Sequence, residues 1–153
     1  MNDTPPHTQN DEILAETMAK IGSSYIVLSG KGGVGKTTVA VNLAVSLAAR
    51  GMKTGLLDVD LHGPSATVLL GMQSARLGPD PAGGIAPITC GDNLQFVSIG
   101  LLLQNQDDAV IWRGPMKYKV IRQFLEEVSW GTLDCLVIDA PPGTGDEPLS
   151  VAQ

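Results

Sequence analysis

One octapeptide constrains this chain more than any other stretch. Gly30-Lys31-Gly32-Gly33-Val34-Gly35-Lys36-Thr37 fits the phosphate-loop pattern GxxxxGK(S/T), which is meaningful between a strand and a helix. Both flanks comply. Tyr25-Ile26-Val27-Leu28 is a short apolar, β-rich run that reads as a buried strand. From Lys36 to Arg50, the residues Ala40, Leu43, Ala44, Leu47 and Ala48 recur on one helical face. Val41 and Val45 widen that face, which predicts a well-buried helix closed by Gly51 as its C′ residue. Glycines let backbone N–H groups curl around phosphate oxygens, and the helix N-terminus adds partial positive charge. This assigns Gly30, Lys31, Gly32, Gly33, Val34, Gly35, Lys36, Thr37 and Thr38 to the phosphates of ATP. Lys36 is placed to reach the β- and γ-phosphates, and the Thr37 hydroxyl to ligate Mg²⁺.

The pattern continues as strand and helix in alternation. Thr54 to Leu57 reads as a second strand ending at Asp58. Residues 71–94, rich in Gly and Pro, read as an excursion with one short hairpin. Leu94–Ile99 is a third strand. Pro115 suits a helix N1 position, and Ile121, Phe124, Leu125 and Val128 form a helical stripe that ends before Gly131. Cys135–Ile138 is a fourth strand ending at Asp139, and Glu147 to Gln153 begins another helix. The expected class is α/β, a P-loop NTPase with a mostly parallel, doubly wound sheet. Stopping in a helix without a closing strand, the sheet is expected to be incomplete at the C-terminus, in a piece of a longer protein. Residues 1–20 read as a flexible N-terminal segment with a short helix over 11–20, acidic at its start and ending in Lys20. Residues 21–153 read as the N-terminal part of a P-loop ATPase domain.

Composition narrows the partners. The net charge is −6 over 153 residues, and only two each of Phe, Trp and Tyr are present. Nucleic-acid binding wants clustered Lys and Arg, so no nucleic acid is expected. No apolar run approaches the ~18 residues of a membrane span, so no membrane is expected either. Two cysteines, Cys90 and Cys135, without a CxxC, form no disulfide framework and fit a reducing cytoplasm. The N-terminus lacks the basic and apolar regions of a signal peptide. The expected localisation is cytoplasmic.

Three carboxylates follow apolar strands: Asp58 and Asp60 after the second, Asp139 after the fourth. In open α/β sheets, ligands bind at the carboxyl ends of strands. Asp139 takes the Walker B role, holding hydrated Mg²⁺ directly or through water. Asp60 activates or positions the attacking water. Asp58 is either structural or a further group near Mg²⁺. Ala140 to Asp146, with two prolines and two glycines, is placed as a switch loop ordered by the γ-phosphate.

Lys31, inside the loop, makes it resemble the deviant Walker A group of P-loop ATPases. That resemblance implies that Lys31 reaches phosphate across a nucleotide-sandwich homodimer and that Asp60 lies in switch I. The catalytic set is then Lys31, Lys36 and Asp60, with Thr37, Asp58 and Asp139 around Mg²⁺. Asp58-Val59-Asp60-Leu61-His62-Gly63-Pro64-Ser65, Ile111-Trp112-Arg113-Gly114-Pro115-Met116 and Asp139-Ala140-Pro141-Pro142-Gly143-Thr144-Gly145-Asp146 go further. Together they resemble the Mrp/NBP35 family over residues 25–153. The resemblance implies a slow, Mg-dependent ATPase that carries 4Fe–4S clusters as a homodimer and delivers them to apo iron–sulfur proteins.

In that family a CxxC pair from each subunit bridges the cluster, so iron–sulfur ligands are expected to be absent from this chain. Adenine contacts are expected beyond Gln153, and residues 1–24 have no cysteine for an N-terminal cluster. Cys135 reads as a small hydrophobe, and neither it nor Cys90 as a cluster ligand. His62 reads as a loop histidine or a contact to substrate or water. Arg113 reads as an exposed or capping residue, or a contact to phosphate or partner. Trp112, Phe124 and Trp130 read as core or interface anchors. Two alternatives stand beside the carrier: a partitioning or cell-division ATPase acting on DNA or membrane, and an inactive truncated nucleotide-binding fragment.

Overall fold

A computed structural model describes residues 6–60, 65–103 and 117–142. The near-continuous apolar runs of the sequence become the inner strands of one sheet, as expected where a parallel sheet is covered on both faces. In chain order the elements are α1 (Pro6–Ala19), β1 (Ile21–Val27), α2 (Lys36–Ala49), β2 (Thr54–Asp58), α3 (Ser65–Leu69), β3 (Gly78–Pro79), β4 (Ile85–Ala86), β5 (Ile88–Cys90), β6 (Leu94–Ser98), α4 (Ile99–Leu103), α5 (Lys117–Glu127) and β7 (Leu133–Asp139). The main sheet has the order β1-β7-β2-β6-β5. All pairs are parallel except β5 with β6. The expected mostly parallel α/β sheet is present.

Register decides what this sheet delivers. Val27 pairs with Asp139, Asp139 with Asp58, and Asp58 with Ser98. Four parallel strands therefore end in one row. The ladder runs a step further: Val59 N–H donates to the Asp139 carbonyl (3.1 Å) and Ala140 N–H to that of Val27 (3.2 Å). Beneath the row, Leu56, Leu57, Phe96, Val97, Leu136 and Val137 are fully buried. Cys135 is buried too, its Sγ 3.3 Å from Thr54 Oγ1.

Several sequence expectations shift by local physics. The strand before the glycine loop begins at Ile21, four residues earlier than Tyr25, because pairing with β7 starts at Leu133. The N-terminal helix begins at Pro6, and Lys20 lies just beyond it. α2 is less buried than its periodicity predicts: Ala40, Val41 and Ala44 are enclosed, whereas Val39 and Val45 are exposed. Its C-terminus matches expectation. Gly51, at φ 85°, donates to the Ala48 carbonyl, and Met52 to that of Leu47, a Schellman closure.

The Gly/Pro-rich excursion holds the expected hairpin, β3 with β4, and also β5, an edge strand not foreseen. Its tip is clipped to the end of α5. Ser129 N–H donates to the Ile85 carbonyl (2.9 Å), and Ser129 Oγ to that of Gly83 (2.8 Å). Ile121, Phe124, Leu125, Val128 and Trp130 are all buried. The readings of His62, Trp112, Arg113, Pro115, the later part of the 140–146 loop and the 147–153 helix lie outside the described residues.

Candidate functional site

β1 hands the chain to the glycine loop, and the loop hands it to α2. Gly33 (φ 73°) and Gly35 (φ 92°) adopt left-handed backbone conformations, which cost glycine little and any residue with a Cβ more. Gly35 occupies the N-cap position of the 14-residue α2, and no side chain caps it. The first-turn N–H groups of α2, which have no intrahelical acceptors, are thus left for an external anion. Gly30, Lys31, Gly32, Gly33, Val34 and Gly35 are exposed on this loop, Thr37 is half-buried and Thr38 exposed.

Lys36 departs from this openness. Its side chain is 6% exposed and turns under the loop to the row of strand ends. Its Nζ donates to Asp139 Oδ1 and lies 3.4 Å from Asp60 Oδ2. The structure thus joins Lys36, Asp60 and Asp139, which the sequence holds far apart. Lys31 stays outside this cluster, on the exposed rim.

Asp58 is differently engaged. Its Oδ1 accepts the Asp60 N–H (3.0 Å) and its Oδ2 accepts the Ser98 hydroxyl (3.0 Å). Burial pushes its carboxyl from the usual 3.8 up to about 6. The two hydrogen bonds oppose that rise, and the neighbouring charges of Asp139 and Asp60 add to it. Asp139 Oδ2, by contrast, is buried with no hydrogen-bond partner, as is Ser29 Oγ just before the loop. An orphaned buried carboxylate oxygen is costly unless something occupies its lone pairs.

That orphan bears on Mg²⁺. Among the described residues, no group of three or more His, Cys, Asp or Glu is arranged to hold a metal. Mg²⁺ needs no such cage: it keeps several waters and takes one or two carboxylates plus substrate phosphates. The orphaned Asp139 Oδ2 suits that chemistry, with the Thr37 hydroxyl on the adjoining helix turn. Asp58, with both oxygens occupied, suits it less.

Sequence reasoning singled out Lys36, Asp58, Asp60 and Asp139 but passed over Ser98. Its only signal was position, near the carboxyl end of the third strand, which the structure closes at Ser98 itself. A cleft of 820 Å³ lined by Lys20, Ser23, Arg50 and Asp134, among others, opens at the opposite, amino end of the strands. It holds none of these residues, and ligands of such sheets sit at the carboxyl ends.

Residues 20–153 match the sequence profile of the NUBPL iron-transfer P-loop NTPases. An iron–sulfur cluster carrier protein of Methanocaldococcus jannaschii is 50% identical over 145 residues, 95% of this chain and 50% of that protein. A protein of Monosiga brevicollis named as a cytosolic Fe–S cluster assembly factor NUBP2 homolog is 49% identical over 140 residues, 92% of this chain and 49% of that protein. A nucleotide-binding protein of Archaeoglobus fulgidus, solved with ADP, superposes with a TM-score of 0.77 at 42% identity, covering 94% of this chain and 54% of the other. The chain spans about half the length of the curated relatives it matches.

Proposed function

The chain belongs to the NUBPL iron-transfer P-loop NTPases, and from that premise we propose that it is the nucleotide-binding portion of an ATP-hydrolysing iron–sulfur cluster carrier. The observation that carries this reading is the buried meeting of Lys36 with Asp60 and Asp139 beneath an uncapped glycine loop. In the ligand-free chain the Lys36 ammonium is neutralised by two carboxylates. Arriving phosphates replace them as its partners, and the open N–H groups of the loop and of α2 cradle the rest of the polyphosphate. Asp60, released from Lys36, orients the attacking water. Asp139 and Thr37 would hold Mg²⁺, which would neutralise charge on the phosphates. Two carboxylates pair with one buried ammonium here and Asp58 stands beside them, so a polyanion enters favourably only with added cations. Lys31, exposed on the rim, supplies one across a homodimer. Phosphoryl transfer depends chiefly on placement and electrostatic stabilisation, which is what this arrangement offers.

The cluster is cargo in this reading, with apo iron–sulfur proteins as recipients. Its thiolates are not Cys90 and Cys135. Cys135 is enclosed in the sheet, and burial raises the Cys90 thiol above its ordinary value, away from the thiolate that ligation needs. The M. brevicollis relative is named as cytosolic, which supports a cytosolic setting. Among the described residues no helix is long and apolar enough to cross a membrane.

Thermal unfolding with and without MgATP tests the reading. A ligand that binds only the folded state stabilises it by about 2.7 kcal/mol at 100 times its Kd. That shift is expected for the wild-type chain and is absent for Lys36→Ala. Asp60→Ala keeps the shift and loses phosphate release. A wild-type chain indifferent to MgATP overturns the assignment.

A further inference from the structure

Ser98 closes β6 directly beside Asp58 at the end of β2. Both side chains are about 1% exposed. The Ser98 hydroxyl donates to Asp58 Oδ2 (3.0 Å) and accepts the Gly100 N–H (3.2 Å). A hydroxyl can do both at once. On its far side, Asp58 Oδ1 accepts the Asp60 N–H (3.0 Å), and the Asp60 carboxylate lies 3.4 Å from Lys36 Nζ. The buried chain of contacts thus runs from the first turn of α4 through Ser98 and Asp58 to the backbone of Asp60.

A carboxylate held at one oxygen can still swing about its side-chain torsions. Pinned at both, it cannot turn without breaking a buried hydrogen bond and leaving a buried polar group unsatisfied. Asp60 lies two residues past the end of β2, and its amide hydrogen bond to Asp58 helps define where its carboxylate sits. Ser98, bonded to the other oxygen, fixes the plane in which the Asp58 carboxylate meets that amide.

We propose that Ser98 is a positioning residue for ATP hydrolysis: through Asp58 it holds the Asp60 backbone so that the Asp60 carboxylate stands at the phosphate site. The proposal rests on the ATPase reading given above. It differs from a plain cap on α4, since a hydroxyl accepting only the Gly100 N–H would have no bearing on Asp60.

The test compares Ser98→Ala and Ser98→Thr in the full chain with two readouts. The first is amide hydrogen exchange followed by NMR without nucleotide. In Ser98→Ala the Asp60 amide is expected to exchange at least tenfold faster, while Val59, whose amide donates to the Asp139 carbonyl, keeps its rate. Ser98→Thr, which retains the hydroxyl, restores protection. The second readout is kinetic. In Ser98→Ala, kcat for MgATP falls at least tenfold with affinity within twofold, and Ser98→Thr recovers most of the loss. Wild-type exchange at Asp60 in Ser98→Ala overturns the proposal. So do a parallel loss of affinity and kcat, or a threonine variant no better than alanine. If the wild-type chain hydrolyses no ATP, the ATPase reading fails, and the exchange of Asp60 alone decides whether Ser98 holds it. If Ser98→Ala does not fold, Ser98→Cys, with a weak S–H donor in the same shape, replaces it and is judged by the same outcomes.

Discussion

β1 and β2 each end in a loop that carries site residues, yet they are housed differently. β2 is buried at all five positions and lies between β7 and β6. β1 closes one side of the described sheet and is exposed from Gly22 to Tyr25, with Tyr25 at 44%. The carboxylates thus rest on the core, and the glycine loop hangs from a thinly covered strand. The two parts have different work. Asp58, Asp60 and Asp139 must hold one geometry against mutual repulsion, which a packed interior can impose. The loop presents backbone N–H groups to a polyanion, which depends on glycine conformations more than on buried side chains.

Truncation tests the contrast most strongly. Phe96→Ala, in β6 against β2, should cost about 3–5 kcal/mol, read as a shift in the urea midpoint. Tyr25→Ala in β1 should cost less than about 1 kcal/mol by the same measure. Equal losses would mean that β1 is as firmly housed as β2.

Next in size is the pH dependence of the carboxylate row. The Asp58 carboxyl is raised from 3.8 to about 6 by burial, so the folded state binds its proton more tightly than the unfolded state. Stability from this group is full below about pH 4 and is lost as pH rises through about 6. Two pKa units correspond to about 3 kcal/mol. Asp58→Asn should therefore flatten the pH profile between about 4 and 6 and stabilise the chain at pH 7 by up to that amount. An unchanged profile in urea unfolding would remove the burial penalty from the account.

Of similar size, about 2.7 kcal/mol at 100 times Kd, is the stabilisation by MgATP that Lys36→Ala should abolish. Amide exchange in the wild-type chain sharpens this further, with added protection expected at residues 33–38 rather than in β6. The smallest is at the surface. Arg122 pairs with Asp11, joining α5 to α1, at 42% and 64% exposure. Exposed pairs contribute about 0–1 kcal/mol, so Arg122→Ala should move the urea midpoint by no more than about 0.5 kcal/mol.

Much of the fold was legible because its signals are local. The stripe Ile121, Phe124, Leu125 and Val128 is buried as its spacing predicts, and Gly51 ends α2 in the left-handed conformation expected of it. The misreadings have a common origin. Periodicity identified which face of α2 is apolar but not how much of that face a neighbour covers, so Val45 emerged exposed. Ile88-Thr89-Cys90 is too short, and too close to Pro87 and Gly91, to declare itself a strand. It becomes one by pairing with β6.

The candidate site divides in the same way. The glycine loop, the helix that follows it and an Asp after each of two apolar strands are legible in the residues alone, because each is a pattern within a few neighbours. That Lys36 meets Asp139 across 103 positions and that Ser98 holds Asp58 across 40 emerges with the folded sheet. Those contacts depend on the register that aligns the ends of four parallel strands. That register is set by packing the apolar side chains beneath, a property of the whole sheet and of no single stretch of sequence.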